Sequence, residues 1–196
     1  MAFIPKSKGY TTIEDIGIYL GIDAQEDWDD FIISIEKLIE QETGRVFVAD
    51  SVAGIRYFHG QGSPFLRIDD CIEVTKVETG DTYGDSFTEI EEDGYILVPR
   101  EDTPIKGIYL KDNYWNKGIS NHRITAKWGY SEDVPGDIKL ATTILTAGIV
   151  KNNIKSKGDK VSERIGDYTV SYSQEKGLND FNKAKAILDS YKLFLL

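Results

Sequence analysis

The sequence from Val134 to Tyr172 reads VPGDIKLATTILTAGIVKNNIKSKGDKVSERIGDYTVSY and changes character twice. Its first part, which ends at Val150, is apolar and amphipathic, and Pro135 suits the first helical position because its missing N–H would be unpaired there. The next part, Lys151 to Arg164, is polar, basic and glycine-containing. From Ile165 to Tyr172, apolar and polar residues alternate as in a strand. The stretch predicts a buried helix, a basic arm and an exposed strand that reach a neighbouring molecule.

Two helices are predicted before this stretch, after a loose arm formed by residues 1–10. Thr11 and Glu14 have the spacing of a capping box, which starts a short helix that Gly21 ends. The second helix begins near Asp27 and ends at Gly44. Its apolar residues recur at helical spacing and are Trp28, Phe31, Ile32, Ile35, Leu38 and Ile39.

Between residues 45 and 131 the apolar pattern has the period of a strand. About six short strands are predicted, with turn signals roughly every 8–12 residues. They cover residues 56–60, 65–68, 72–77, 95–98, 105–110 and 124–130. Asp93-Gly94 is expected to form a hairpin turn before the strand that starts at Tyr95. The pattern favours an antiparallel barrel or a small sandwich.

The predicted fold class is therefore α+β, a bundle of about four helices with an inserted antiparallel β barrel or small sandwich. The last helix is predicted to begin at Asn179 or Asp180, and the chain then ends in the apolar run Leu193–Leu196. Residues 1–44 supply the N-terminal helices of the helical body, and residues 45–131 form the inserted β module. Residues 132–196 add the C-terminal helices, the basic arm and the strand.

Charge limits the partners that the chain can have. Its 196 residues include 33 acidic and 23 basic ones, and the net charge of -10 argues against general affinity for nucleic acid or an anionic membrane. The charge is uneven, since residues 1–44 hold 3 bases and 10 acids while residues 150–196 hold 9 bases and 6 acids. An acidic front and a basic tail suit head-to-tail contact between copies, and ordinary solvated faces are the alternative.

Targeting and redox signals are sparse. Cys71 is the single cysteine, so the chain forms no intramolecular disulfide and gives no sign of an oxidising compartment. The N-terminus lacks the apolar region of a signal peptide. The apolar run from Leu140 to Val150 is shorter than the roughly 20 residues that span a bilayer. We expect a protein that is made in a cytoplasm and has no membrane segment.

No residue pattern predicts a catalytic, cofactor-binding or metal site, and no cofactor is expected. His59 and His122 lack metal-ligand spacing and are interpreted as structural. Cys71 lies beside Asp69 and Asp70, whose negative charge would raise the thiol pKa, so a small core residue is expected there and not a nucleophile.

Two weaker chemical interpretations remain as alternatives. Calcium could bind weakly to four acids near one turn, namely Glu89, Glu91, Glu92 and Asp93. A solvated turn is the simpler interpretation. A sugar-stacking surface, as in a carbohydrate-binding or hydrolytic β module, could form from five aromatic residues, namely Tyr10, Tyr57, Tyr114, Trp115 and Trp128. Aromatic residues in strands more often form a core.

Three short motifs in a fixed order carry a family resemblance. They are Thr43-Gly44-Arg45 at the end of the second helix, Val134-Pro135-Gly136-Asp137-Ile138 at the start of the third, and Ile165-Gly166-Asp167-Tyr168-Thr169-Val170-Ser171-Tyr172. With the β insertion and the final helix, this order resembles the head-tail connector (adaptor, or head-completion) proteins of tailed bacteriophages. The resemblance covers essentially the whole chain.

The resemblance implies a non-enzymatic ring subunit of the virion neck, usually one of about twelve copies (a dodecamer), docked beneath the portal protein. The ring would extend the DNA channel, let viral DNA pass without specific binding, and present a platform to the next neck, stopper or tail protein. Such a protein would be made in the cytoplasm of the bacterial host. A tail-completion or baseplate subunit is the alternative within the virion.

The candidate ring or portal interface combines the basic arm with the strand after it. The bases would contact an acidic neighbouring subunit or the portal, and the strand could extend a partner's sheet edge. These residues are Lys151, Lys155, Lys157, Lys160, Arg164, Ile165, Tyr168, Val170 and Tyr172.

Overall fold

The computed structural model describes the backbone of residues 7–154, 161–165, 168–172 and 175–193, and the side chains of residues 7–151 and 179–193. These residues form an α+β fold with four α-helices and a six-stranded antiparallel sheet. In chain order the elements are α1 (Ile13–Leu20), α2 (Asp29–Thr43), β1 (Gly54–Gly60), β2 (Phe65–Gly80), β3 (Phe87–Glu89), β4 (Tyr95–Val98), β5 (Ile105–Leu110), β6 (Gly118–Trp128), α3 (Gly136–Ile154), β7 (Val161–Ile165), β8 (Tyr168–Tyr172) and α4 (Glu175–Tyr191).

The chain divides into two compact units. The β unit runs from Val48 to Asp133, and the helical unit joins the chain before Val48 to the chain after Asp133. Each unit has its own buried cluster. In the helical unit the cluster consists of Ile16, Trp28, Ile32, Ala147 and Val150.

The first helix starts one residue later than the capping-box spacing predicted. Thr12 is its N-cap and forms the box with Asp15, while Thr11 is buried and shares a 2.6 Å hydroxyl hydrogen bond with Thr143. The box at Thr11 and Glu14 is therefore wrong by one residue, because both registers offer a threonine and an acid three residues apart. The predicted ends at Gly21 and Gly44 are confirmed, and both glycines are left-handed with φ 70°.

The segment before α1 is held firmly where a loose arm was expected. The Glu36 carboxylate on α2 accepts hydrogen bonds from the Ser7 hydroxyl at 2.8 Å, the Lys8 amide at 2.8 Å and the Tyr10 amide at 2.9 Å. The Tyr10 hydroxyl donates to Glu40 at 2.8 Å. The expectation of a loose arm is wrong for residues 7–10, and residues 1–6 lie outside the described part of the chain.

Two of the three sequence motifs meet at the end of α4. The Arg45 Nε–H donates to the Tyr191 carbonyl at 2.6 Å, and the Tyr191 hydroxyl lies 3.0 Å from both carboxylate oxygens of Asp137. The amide of Leu193 donates to the Thr43 carbonyl at 3.0 Å. The first two motifs are thus joined through Tyr191.

Three boundaries in the C-terminal region differ from the prediction. Helix α3 continues to Ile154, so Lys151 is helical and does not belong to an arm. The run from Ile165 to Tyr172 is divided between β7 and β8, which pair with each other, and it is not a single strand. Helix α4 begins at Glu175, before the predicted cap at Asn179 or Asp180.

The sheet of the β unit has the strand order β1-β6-β2-β5-β4, and β3 pairs with β2. Strand β2 is continuous over 16 residues where two short strands were predicted. Within the described residues the sheet does not close, because β1 and β4 remain at its edges, so the barrel alternative is wrong. The predicted hairpin turn at Asp93-Gly94 is also wrong, since β3 pairs with β2 while β4 pairs with β5.

Candidate assembly surfaces

The structure places only part of the predicted interface. Lys151 is half-buried in the last turn of α3. Lys155, Lys157 and Lys160 lie outside the described residues. The remaining members are described as backbone only, Arg164 and Ile165 in β7 and Tyr168, Val170 and Tyr172 in β8. This interface stays a prediction.

Strands β7 and β8 pair with each other as an antiparallel two-stranded sheet. Val161 pairs with Tyr172 and Ile165 pairs with Tyr168, so the two strands are in register along their whole length. Strand β8 lies next to α3. In the described part of the chain, a two-stranded sheet leaves one edge of each strand unpaired. An unpaired edge can accept a strand from a partner.

Sequence reasoning missed an exposed apolar face on α1. Ile16 is fully buried in the helical core, whereas Ile18 is 81% exposed and Ile22, just after the helix, is 43% exposed. Tyr19 is partly exposed, and its hydroxyl donates to Asp180 at 2.7 Å. A signal for this face exists in the sequence, because Ile18 is two residues from Ile16 and a helix turns about 100° per residue.

The segment that follows α1 in the chain carries acids without nearby bases in the sequence. No lysine or arginine occurs between Lys8 and Lys37 in the sequence. Five acids follow α1 closely and are exposed, namely Asp23, Glu26, Asp27, Asp29 and Asp30. Within α1 itself, Asp15 forms an ion pair with Lys139 at 2.8 Å. The combination of exposed isoleucines and acids can bind a basic segment that also carries aliphatic residues.

The β unit contains a buried ion network. The Glu78 side chain is only 5% exposed and accepts from Arg123 Nε at 2.7 Å, Arg123 Nη2 at 2.6 Å and Lys76 Nζ at 3.0 Å. The Arg123 guanidinium also lies 4.4 Å from the centroid of the Phe87 ring. These bonds, from Arg123 first, lower the pKa of Glu78 to about 2. Glu78 therefore stays ionised at neutral pH and links β2 to β6 through its bonds to Arg123.

His122 has structural hydrogen bonds on both ring nitrogens. Its Nε2 lies 3.0 Å from the Asn116 carbonyl, which can only accept, so the proton is on Nε2. Its Nδ1 lies 3.1 Å from the Thr79 hydroxyl, which donates. Burial lowers the pKa of His122, so the ring is neutral at physiological pH. His59 accepts the Ser120 amide through Nδ1 at 2.8 Å.

The other chemical candidates are placed in the core. Cys71 is buried, and burial first and Asp70 second raise the pKa of its thiol to about 12, so a thiolate is scarce at neutral pH. Trp115 and Trp128 are also buried, as is Tyr10 in the helical unit. These three rings are unavailable for the sugar-stacking surface considered above.

Metal-binding clusters and membrane-spanning helices are absent from the described residues. Among them, no group of three or more histidine, cysteine, aspartate or glutamate side chains is arranged to hold a metal ion. No α-helix in the described ranges combines the length and apolar character needed to cross a membrane.

Comparison with known proteins yields fold similarity at low sequence identity. No protein-family model and no curated protein sequence matches the chain. A chain from the neck of an empty GTA (gene transfer agent) particle, computed with C6 symmetry, is similar with a TM-score of 0.62 and 12% identity. A chain from the neck of a native GTA particle, computed with C12 symmetry, is similar with a TM-score of 0.55 and 13% identity. Both similarities cover 100% of this chain and 96% of the other chain.

Proposed function

We propose that this protein is a structural subunit of the neck of a phage-like particle, where copies of it form a ring. The observation that carries the proposal is the fold similarity, over the full length of the chain, to neck chains in particles computed with C6 and C12 symmetry. The order of the three motifs supports the same role. The proposed location is the neck of the virion, after synthesis in the host cytoplasm.

The finer proposal is a head-tail connector adaptor with about twelve copies per ring. The ring lies beneath the portal protein, extends the DNA channel, and provides the docking platform for the next neck, stopper or tail protein. The net charge of -10 supports this role, because acids that line a channel repel DNA and let it slide. The proposed role requires no cofactor and no catalysis.

Measurement of particle mass tests this proposal. The purified chain is examined by sedimentation velocity and electron microscopy, alone and mixed with the portal protein of the same particle. We expect rings of about twelve copies, either alone or on the portal template. Six copies would instead favour a tail-terminator or baseplate role. A chain that stays monomeric alone and with the portal contradicts the proposal.

Charge reversal tests the predicted interface. Lys155→Glu, Lys157→Glu and Lys160→Glu together should weaken ring formation or portal binding, because they place negative charge where an acidic neighbour is expected. The matched control reverses three exposed bases of the β unit, Arg100→Glu, Lys106→Glu and Lys117→Glu. Both variants change the net charge equally, so equal loss in both would point to a general charge effect and against this interface.

A further inference from the structure

The exposed face of α1 is not explained by packing within the described chain. Ile16 is fully buried, and Ile18 lies about 200° further around the helix, on the opposite side. Ile18 is 81% exposed and Ile22 follows it beyond the Gly21 cap, within an exposed turn of residues 21–27. Exposed aliphatic residues that adjoin one another are more common in interfaces than elsewhere on a protein surface.

The charge around this face restricts its partner. Five exposed acids lie near the two isoleucines in the sequence and have no ion pair with a described base, namely Asp23, Glu26, Asp27, Asp29 and Asp30. A partner should therefore carry several bases and a few aliphatic side chains. The stretch from Lys151 to Arg164 has this composition, with five bases, two acids and the aliphatic residues Ile154 and Val161.

We propose that the face formed by Ile18, Ile22 and the adjoining acids binds the basic stretch Lys151–Arg164 of a second copy of the chain. The inference rests on the proposed ring and assigns its subunit contact. A donor stretch and a different acceptor face on each subunit make a head-to-tail contact, which closes into a ring when the rotation between subunits permits. The apolar residues supply contact area, and the charges supply orientation.

The direction of Ile18 favours a second copy over the same chain as the source of the basic stretch. Helix α3 packs against the inner side of α1, where Val150 lies in the cluster with Ile16 and Trp28. Ile18 lies on the opposite side of α1 from that cluster and is exposed, so a neighbouring subunit can approach it.

Reciprocal charge reversal in the full chain tests the proposal. The acceptor variant carries Asp23→Lys, Glu26→Lys and Asp27→Lys, and the donor variant carries Lys155→Glu, Lys157→Glu and Lys160→Glu. Each variant alone should raise the dissociation constant of self-association by about tenfold or more, through three reversed ion pairs. An equimolar mixture should restore association, because each basic segment then meets an acidic one on the other variant.

An apolar variant tests the same face without changing charge. Ile18→Ser with Ile22→Ser should weaken association by about tenfold, since the face loses its aliphatic contact area. Val52→Ser with Ile55→Ser removes two comparably exposed aliphatic residues from the β unit and serves as the control. Circular dichroism of each variant establishes that it is folded.

The possible outcomes separate the two proposals. If wild-type rings form and neither the charge reversals nor the apolar variant weakens them, the assigned contact is wrong while the neck function stands. If the mixture fails to restore association but both reversals in one chain restore it, the basic stretch binds its own subunit and the inference is overturned. If the wild type forms no ring alone or on the portal, the neck function itself fails.

Discussion

The Glu78 carboxylate joins Arg123 on β6 to Lys76 on β2, and its removal should destabilise the β unit. Glu78→Gln leaves Arg123 and Lys76 without their shared partner, although both bases are partly exposed and can be hydrated. We expect a loss of about 1–3 kcal/mol in the free energy of unfolding at pH 7. Urea unfolding measures this loss. Glu89→Gln, at an exposed position that also contacts Lys76, is the control and should lose less.

The same carboxylate predicts a pH dependence. The pKa of Glu78 is lowered from 4.5 to about 2, so its contribution is complete above about pH 4.5 and declines as pH falls towards 2. The difference in unfolding free energy between wild type and Glu78→Gln should therefore shrink across that range. The expected change is about 1.4 kcal/mol for each unit by which the pKa is lowered. A difference in unfolding free energy that stays constant from pH 6 to pH 3 would contradict this assignment.

Glu36 fixes the segment before α1, and its loss should release that segment. Glu36→Ala removes the acceptor of two backbone amides, at Lys8 and at the buried Tyr10. We expect faster amide hydrogen exchange at these two residues and a stability loss of about 2 kcal/mol. Lys37→Ala changes an exposed neighbour on α2 and should leave exchange unchanged. Unaltered exchange in Glu36→Ala would mean that other contacts hold the segment.

At the level of single elements, Gly21 at the end of α1 and Gly136 at the start of α3 differ in how well they should tolerate a side chain. Gly21 has φ 70°, and an added Cβ would meet no atom within 4 Å, so only backbone strain opposes alanine there. Gly136, at the start of α3, has open space and no positive φ. Gly21→Ala should lower the unfolding free energy by about 1 kcal/mol, whereas Gly136→Ala should be neutral or stabilising by up to about 1 kcal/mol. Thermal unfolding of the two variants measures these changes, and an equal change in unfolding free energy for both would refute the strain argument.

Element types were predictable from the sequence because local periodicity determines them, whereas several boundaries were not. Helix α2 was predicted well since its apolar residues recur at helical spacing and a left-handed glycine follows. Strand β2 was predicted as two pieces on either side of Asp69-Asp70, yet Asp70 is buried and its carbonyl accepts a hydrogen bond from the Gly129 amide at 2.8 Å. That bond joins residues far apart in sequence, so no local pattern contains it.

At the level of the whole molecule, the α+β class followed from the change of period near residue 45 and its reversal near residue 131. The open sheet could not be predicted from the sequence patterns. Closure requires β1 to pair with β4, which depends on the order of the strands in the sheet, and local patterns identify strands without giving that order. The exposed α1 face was also missed, since Ile18 fits a helix whether or not it is buried. Sequence patterns thus identified the acidic and basic charges of the proposed contact, and the structure added the exposed isoleucines.

The β unit should fold on its own, and the helical unit should fold without it. The ends of the β unit are adjacent, since the Ala49 amide donates to the Ser131 carbonyl at 2.9 Å and the Asp50 amide donates to the Trp128 carbonyl at 2.9 Å. A short glycine-serine linker can therefore replace residues 48–133 between Phe47 and Val134. The isolated β unit and the linker variant of the helical unit should each unfold cooperatively in urea, because each has a buried cluster of its own.

The shortened chain also separates the two units in assembly. The proposed subunit contact, at Ile18 and Ile22 on one copy and Lys151–Arg164 on the next, lies entirely within the helical unit. The linker variant should therefore self-associate with a dissociation constant within about tenfold of the wild-type value. The linker variant carrying Ile18→Ser and Ile22→Ser is the control and should associate more weakly. A folded linker variant that stays monomeric where the wild type forms rings would place essential ring contacts in the β unit.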